Sequence, residues 1–231
     1  MKILIINGSP RGEGSNTMKV TNAFIQGAGW TDVDTIDISK IKVGGCLGCF
    51  TCWSKTPGKC VIKDDMADSL EKILDADIII SSFPLYSCFF PGPMKTFIDR
   101  QLPLALPYMD KNAESGGHPS RYDMSKKRNI YISTCGFWTA KGNYGVIEAL
   151  LERAGSSEKV ETLFCGQGEL FNVEDADEVT KPYLVHVSQA GKDYVQNGKI
   201  SDKTRELLNV PLLEREVFEN LADGSWGDEA Q

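Results

Sequence analysis

The stretch CLGCFTCWSKTPGKC, from Cys46 to Cys60, holds four of the chain's seven cysteines at C-x2-C-x2-C-x7-C spacing. Four thiols so close in sequence can wrap an iron–sulfur cubane, close on a zinc ion, serve as redox thiols or pair as a disulfide. Gly44, Gly45, Gly48 and Gly58 give the loop the backbone freedom that wrapping needs. A four-thiolate zinc site is usually built from two separated C-x2-C knuckles, so three cysteines at consecutive three-residue spacing suit zinc less well. The spacing leaves cluster, free thiols, zinc and disulfide open.

A second reactive stretch is NGSPRGEGSNT, residues 7–17. It follows an apolar run and leads into a helical pattern. Such a loop presents backbone N–H groups, hydroxyls and a helix dipole to an anion. Ser9, Arg11, Ser15, Asn16 and Thr17 are its candidate contacts, and a plain capped turn is the alternative. It has neither the G-x4-G-K-[ST] nor the G-x-G-x-x-G pattern, and no cysteine nucleophile of the kind a low-molecular-weight tyrosine phosphatase carries there.

The elements that must position these residues alternate in type. Apolar runs at 2–7, 32–38, 77–83, 128–135 and 158–165 read as strands. Helical stripes lie between and after them, at 17–29 (closed by Gly27 and Gly29), 64–76, 92–102, 143–155 (stopped by Gly155) and 178–198. Five strands separated by helices predict a parallel α/β sheet with helices on both faces. Residues 1–198 make this domain. Residues 199–231 are an extension, with a helix after Pro211, packed on the domain or on a second subunit, and with an end near Gly224–Gln231 that is either part of that arm or a frayed tail.

NGSPRGEGSNT and FPLYSCFFPGPMKTFIDR (83–100) together resemble the NADPH-dependent FMN reductase branch of the flavodoxin-like superfamily. The matching positions of the second segment are Pro84, Tyr86, Pro91 or Pro93, Lys95, Asp99 and Arg100, and the resemblance runs through residues 1–198 in element order. It implies a sheet of order 2-1-3-4-5 and an FMN held at the loop of residues 7–17. In such a sheet ligands sit beyond the strand C-termini at the switch point between the first and third strands. Pro84, Leu85, Tyr86 and Ser87 are therefore placed to border the flavin, with Thr134, Cys135, Gly136 and, more weakly, Phe137 on the next loop. Phe89 and Phe90 read equally as core or interface aromatics.

The cysteine loop resembles that of the iron–sulfur flavoprotein subgroup. By that likeness Cys46, Cys49, Cys52 and Cys60 would hold a [4Fe–4S] cluster in exchange with FMN, although x7 is a long final gap for the subgroup. Cys88, Cys135 and Cys165 read as buried small hydrophobes. The resemblance implies an oxidoreductase that takes electrons from NAD(P)H and passes them to a quinone, a nitro or azo compound, another flavin, or a ferredoxin-like protein carrier. Relatives of this type commonly pair, so a homodimer or homotetramer is expected. A flavodoxin-type carrier without turnover and a thiol or metal redox sensor are the alternatives.

The totals exclude some classes and do not choose among the other soluble functions. The formal charge of −7 argues against a main role on nucleic acid or anionic membrane. No run is long enough to span a bilayer, and the reducing cytoplasm is the expected location. The two histidines offer no acid–base triad, with His118 expected at the surface and His186 in the core. The connection 102–127 is long enough for a lid or a subunit contact. Within and just after it Arg121, Lys126, Lys127 and Arg128 are candidates for a nicotinamide phosphate or an acidic carrier, or simply a solvated charged face.

Overall fold

The computed structural model describes residues 1–111, 116–153 and 159–227. Parallel strands β1 (Ile3–Asn7), β2 (Val33–Asp37), β3 (Ile78–Pro84), β4 (Arg128–Thr134) and β5 (Val160–Cys165) form one sheet in the order 2-1-3-4-5. This is the flavodoxin-like architecture the sequence predicts. The helices are α1 (Asn16–Ala28), α2 (Met66–Asp75), α3 (Gly92–Asp99), α4 (Gly145–Arg153), α5 (Asp177–Asn197), α6 (Asp202–Leu208) and α7 (Arg215–Gly224).

Successive strand side chains point to opposite faces, and β1 shows what this does. Ile3 and Ile5 join Phe24 of α1 and Val187 of α5 in one core, while Leu4 and Ile6 join Met66 of α2, Phe97 of α3 and Ile147 of α4 in the other. A central strand buried on both faces must be apolar throughout, which is why ILII carries no alternation.

On the first face α1 and α5 cross at backbone distance. A Cβ added at Gly27 would stand 1.8 Å from the Ser188 carbonyl oxygen, and one at Gly191 would stand 2.1 Å from that of Phe24. Gly27 is therefore a crossing point inside α1 rather than part of its stop. The stop is Gly29 alone, at φ +68°.

Helix α3 is shorter than its apolar stripe, because Pro103 has no N–H for the Asp99 carbonyl and its ring crowds that oxygen, and the chain turns through a 3-10 segment, Leu102–Leu104. The expected stop of α4 at Gly155 and the first residue of the 158–165 strand lie outside the described residues, as do 228–231.

Three buried polar side chains grip the segment after α5. Asp193 accepts from Ser201 N and Oγ and from Thr204 Oγ1, at 3.2, 2.6 and 2.6 Å. Glu161 accepts from Ile200 N at 2.8 Å and pairs with Arg205. Gln167 accepts from Leu213 N and donates back to Leu213 O, both at 2.9 Å. Among the described residues no helix is long and apolar enough to cross a membrane.

Candidate functional site

The end of β1 builds the first site. Buried Asn7 accepts from Ser9 N at 3.1 Å, and Ser9 Oγ accepts from Arg11 N at 3.2 Å. These bonds fold the loop back over the strand end. The chain then enters α1 at Ser15, whose hydroxyl makes no capping bond. The free first-turn N–H groups of a helix carry a partial positive charge, and these open toward the loop. Thr17 Oγ1 lies 2.6 Å from Thr134 Oγ1, so the start of α1 is tied to the end of β4.

The loop after β3 supplies another wall. Tyr86 and Phe89 exchange backbone hydrogen bonds at 3.0 and 2.9 Å across a two-residue turn, Ser87–Cys88. Both turn residues have positive φ, 48° and 59°, the pattern of the tightest hairpin turns and usually left to Gly or Asn. Two non-glycine residues held there store strain at the loop that presents Tyr86.

One cavity of about 150 Å³ joins these parts. Of the residues selected from sequence, Ser9, Arg11, Ser15, Asn16, Thr17, Pro84, Leu85, Tyr86, Thr134, Cys135 and Gly136 all line it. Ser87 does not, being exposed at the hairpin tip, and exposed Phe137 also stands outside it. Gly168 and Glu169, on the loop after β5, line it too, and no sequence signal marked them. Asn16 Oδ1 is buried without a hydrogen-bond partner among the described residues, an acceptor open to a ligand hydroxyl or amide.

The cysteine loop forms the second site. Cys46, Cys49, Cys52 and Cys60 line one small pocket with Arg100, Asp99 and Pro103. The enclosed space is about 20 Å³, with Cys46 and Cys49 exposed, Cys60 half-buried and Cys52 buried. Among the described residues no three His, Cys, Asp or Glu side chains stand together as a single-ion site. The thiols nevertheless share one field. Burial pushes the Cys52 thiol up, and the nearby Cys60, Cys46 and Cys49 push it further. Hydrogen bonds at Thr51 hold the Cys49 thiol below its ordinary value.

Behind the loop lies Arg100, 1% exposed. Its Nη1 and Nη2 donate to the two carboxylate oxygens of Asp64 at 2.7 and 2.9 Å, and Nη1 also donates to Gly44 O at 2.7 Å. The pair therefore clamps both ends of the cysteine loop. Asp64 is held below the usual carboxylate range, chiefly by those bonds from Arg100.

Other sequence candidates fall elsewhere. Lys127 is not part of a solvated face, since its Nζ donates to the carbonyls of Leu74 and Ala76 and closes the end of α2. Arg121 binds the 102–127 connection to itself through Pro103 O at 3.1 Å. His118 is exposed but its ring packs 4.7 Å from that of Trp53, beside the cysteine motif. His186 is half-buried rather than core. Cys88 is exposed, not buried as expected, because the strained turn points it outward, whereas Cys135 and Cys165 are buried.

The sheet order and an anion-ready helix terminus at the β1–β3 switch point define a flavodoxin-like α/β protein. A family model described as NADPH-dependent FMN reductase matches residues 1–117, just over half of the chain, and the chain belongs to that family. It is 37% identical over 105 residues to an iron-sulfur flavoprotein of Archaeoglobus fulgidus (45% of this chain, 46% of that protein). It is 35% identical over 118 residues to one of Methanocaldococcus jannaschii (50% of this chain, 60% of that protein). The matched stretch thus spans about half the length of these relatives. Among solved structures, an FMN-dependent NADH-azoreductase from Bacillus anthracis in complex with FMN shares the fold at TM-score 0.58 and 17% identity, over 84% of this chain and 100% of that one. An NAD(P)H:quinone oxidoreductase from Methanothermobacter marburgensis does so at TM-score 0.58 and 18% identity, over 84% and 98%.

Proposed function

We propose that the protein is an FMN-dependent NAD(P)H oxidoreductase whose cysteine loop holds a [4Fe–4S] cluster as a one-electron outlet. The observation that carries the reading is the convergence of the 7–17 loop, the Tyr86 hairpin and Thr134–Gly136 on one cavity at the switch point. The residues present fit FMN. Ser9, Arg11, Ser15 and the first-turn N–H groups of α1 suit a phosphate, the open Asn16 Oδ1 suits a ribityl hydroxyl, and Tyr86 offers an aromatic face to a flat ring. When bound, FMN supplies the two-electron and one-electron chemistry.

The chain's own task is positional. The Thr17–Thr134 and Asn7–Ser9 bonds fix the anion loop before a ligand arrives, so little ordering cost falls on binding. Leu85, Tyr86 and Cys135 give their backbone N–H groups to Thr134 O, Phe89 O and Cys165 O, which fixes the shape of this wall. The exposed rings of Tyr86 and Phe137, 48% and 51% accessible, leave the rim open to a substrate or to a second copy, and we assign a homodimer or homotetramer. The acceptor is a quinone, a flavin, a nitro or azo compound, or a ferredoxin-like carrier.

The donor set of the second pocket fits a cluster: four thiols and a buried cation. The enclosed space is small, so the exposed half of the loop, Cys46 to Phe50, is the part that would fold over an occupant.

The test is an absorption spectrum of protein purified without oxygen, with FMN, iron and acid-labile sulfide assayed on the same sample. One FMN and about four irons per chain are expected. FMN without iron would overturn the cluster and leave the reductase. A chain that neither carries nor binds added FMN would overturn the whole reading.

A further inference from the structure

Arg100 is the largest fully buried side chain among the described residues, yet only part of its guanidinium is satisfied. Nη1 and Nη2 are engaged by Asp64 and Gly44, whereas Nε is buried with no hydrogen-bond partner among the described residues. A buried N–H of a charged group without an acceptor is costly and rare. The side chain lines the same pocket as the four thiols, and Cys60 adds to the field on its guanidinium, after the larger effect of Asp64.

On its other side the guanidinium is held firmly. Asp64 holds the outer edge of the guanidinium in a two-point grip, a planar arrangement that fixes the whole group. The Asp64 carboxylate also accepts from Gly44 N at 2.9 Å and Met66 N at 3.2 Å, so the grip is itself anchored to the loop and to the start of α2. Because Asp64 offsets much of the charge, what the pocket receives is mainly a short-range, oriented N–H.

We propose that Arg100 is a positioning residue of the cysteine pocket, with Nε–H aimed at sulfur there to favour the more negative state of the four-thiolate site. This rests on the cluster reading above. The guanidinium moves no proton in this role, and the single electron that adds negative charge comes from NAD(P)H by way of the flavin. Hydrogen bonds to sulfur and nearby charge are the means by which a protein tunes such sites.

The experiment uses the full chain, purified without oxygen, as wild type and as Arg100→Lys, which keeps the charge and loses Nε. Iron and sulfide are assayed, and the midpoint potential is read by EPR-monitored titration. The variant should hold iron yet reduce less readily by about tenfold, a shift of about −59 mV for one electron. In case the variant does not fold, pulsed EPR of reduced wild type labelled with 15N-arginine supplies an independent reading. It should show a 15N hyperfine coupling that survives in Arg121→Gln, the other arginine near the loop. An iron-replete variant at unchanged potential, or an iron-replete wild type without the coupling, overturns this role while leaving the cluster. An iron-free wild type overturns the cluster and this role with it.

Discussion

At the level of single residues, exposure separates the seven cysteines by what they can do. Cys135 and Cys165 are buried, and burial pushes Cys165 up to about 12, so neither presents a thiolate at neutral pH. Cys88 is exposed on its strained turn, and Cys46 and Cys49 are exposed on the loop. If the loop cysteines are ligands, brief alkylation of iron-replete protein should label Cys88 alone. After iron is stripped with a chelator under oxidant, and the thiols are reduced again, Cys46 and Cys49 should label as well. Peptide mass spectrometry reads both states, and labelling of Cys46 and Cys49 in the iron-replete protein would exclude them as ligands. The cysteine spacing and the residues of the anion loop were legible in the sequence because they sit in unbroken short motifs. Arg100 was visible as part of an Asp-Arg pair, but its role was not, since a charged residue at a helix end ordinarily reads as solvated. Only folding shows that Asp64, far back in the chain, removes it from water. Glu169 carried no signal at all, because its place in the cavity depends on where β5 ends.

Among the elements, α1 does two jobs, and each can be tested. Its N-terminus faces the cavity and its middle crosses α5. Ser15 leaves the N-cap bond unmade and is buried, so in Ser15→Asp the gain from a charged cap is offset by burial of the carboxylate, and the stability of the ligand-free protein should change by less than about 1 kcal/mol. The same carboxylate would occupy the anion position. FMN affinity should fall at least about tenfold while riboflavin, which lacks the phosphate, is little affected. Thermal melts and flavin fluorescence titrations measure the two effects, and equal losses for both flavins would argue that the phosphate lies elsewhere. At the crossing, Gly191→Ala places a methyl where Phe24 O already stands, so α1 and α5 must part. A loss of about 2 kcal/mol or more is expected in urea unfolding, and a variant as stable as wild type would disprove the close approach. Neither crossing glycine can be told from a helix stop by sequence, because the reason for each lies on the other helix. The first and third strands were plain for the opposite reason, since burial on both faces writes itself as an apolar run. Helix α6 went unseen, as DKTRELL is too short to show a stripe.

For the molecule as a whole, the question is what fastens the chain after α5 to the sheet, and the answer is mostly charge held by hydrogen bonds. Asp193 is the clearest case. Burial works to raise its carboxyl, but donors from Ser201, Thr204 and Gln189 outweigh that and hold it at about 2, against an ordinary 3.8. A carboxyl lowered in the folded state adds stability that is complete above the unfolded value and is lost as pH falls through the folded one. The contribution should therefore be full at pH 6, decline below about pH 4 and be mostly lost by pH 2, with a ceiling of about 2 kcal/mol. Asp193→Asn tests this, because an amide has one oxygen for sites that now use two and turns an N–H toward a donor. The stability gap between wild type and variant should be widest at pH 6 and close progressively toward pH 2, as read by urea unfolding across that range. A gap that stayed constant with pH would mean that packing of α6, rather than the charge on Asp193, secures the extension.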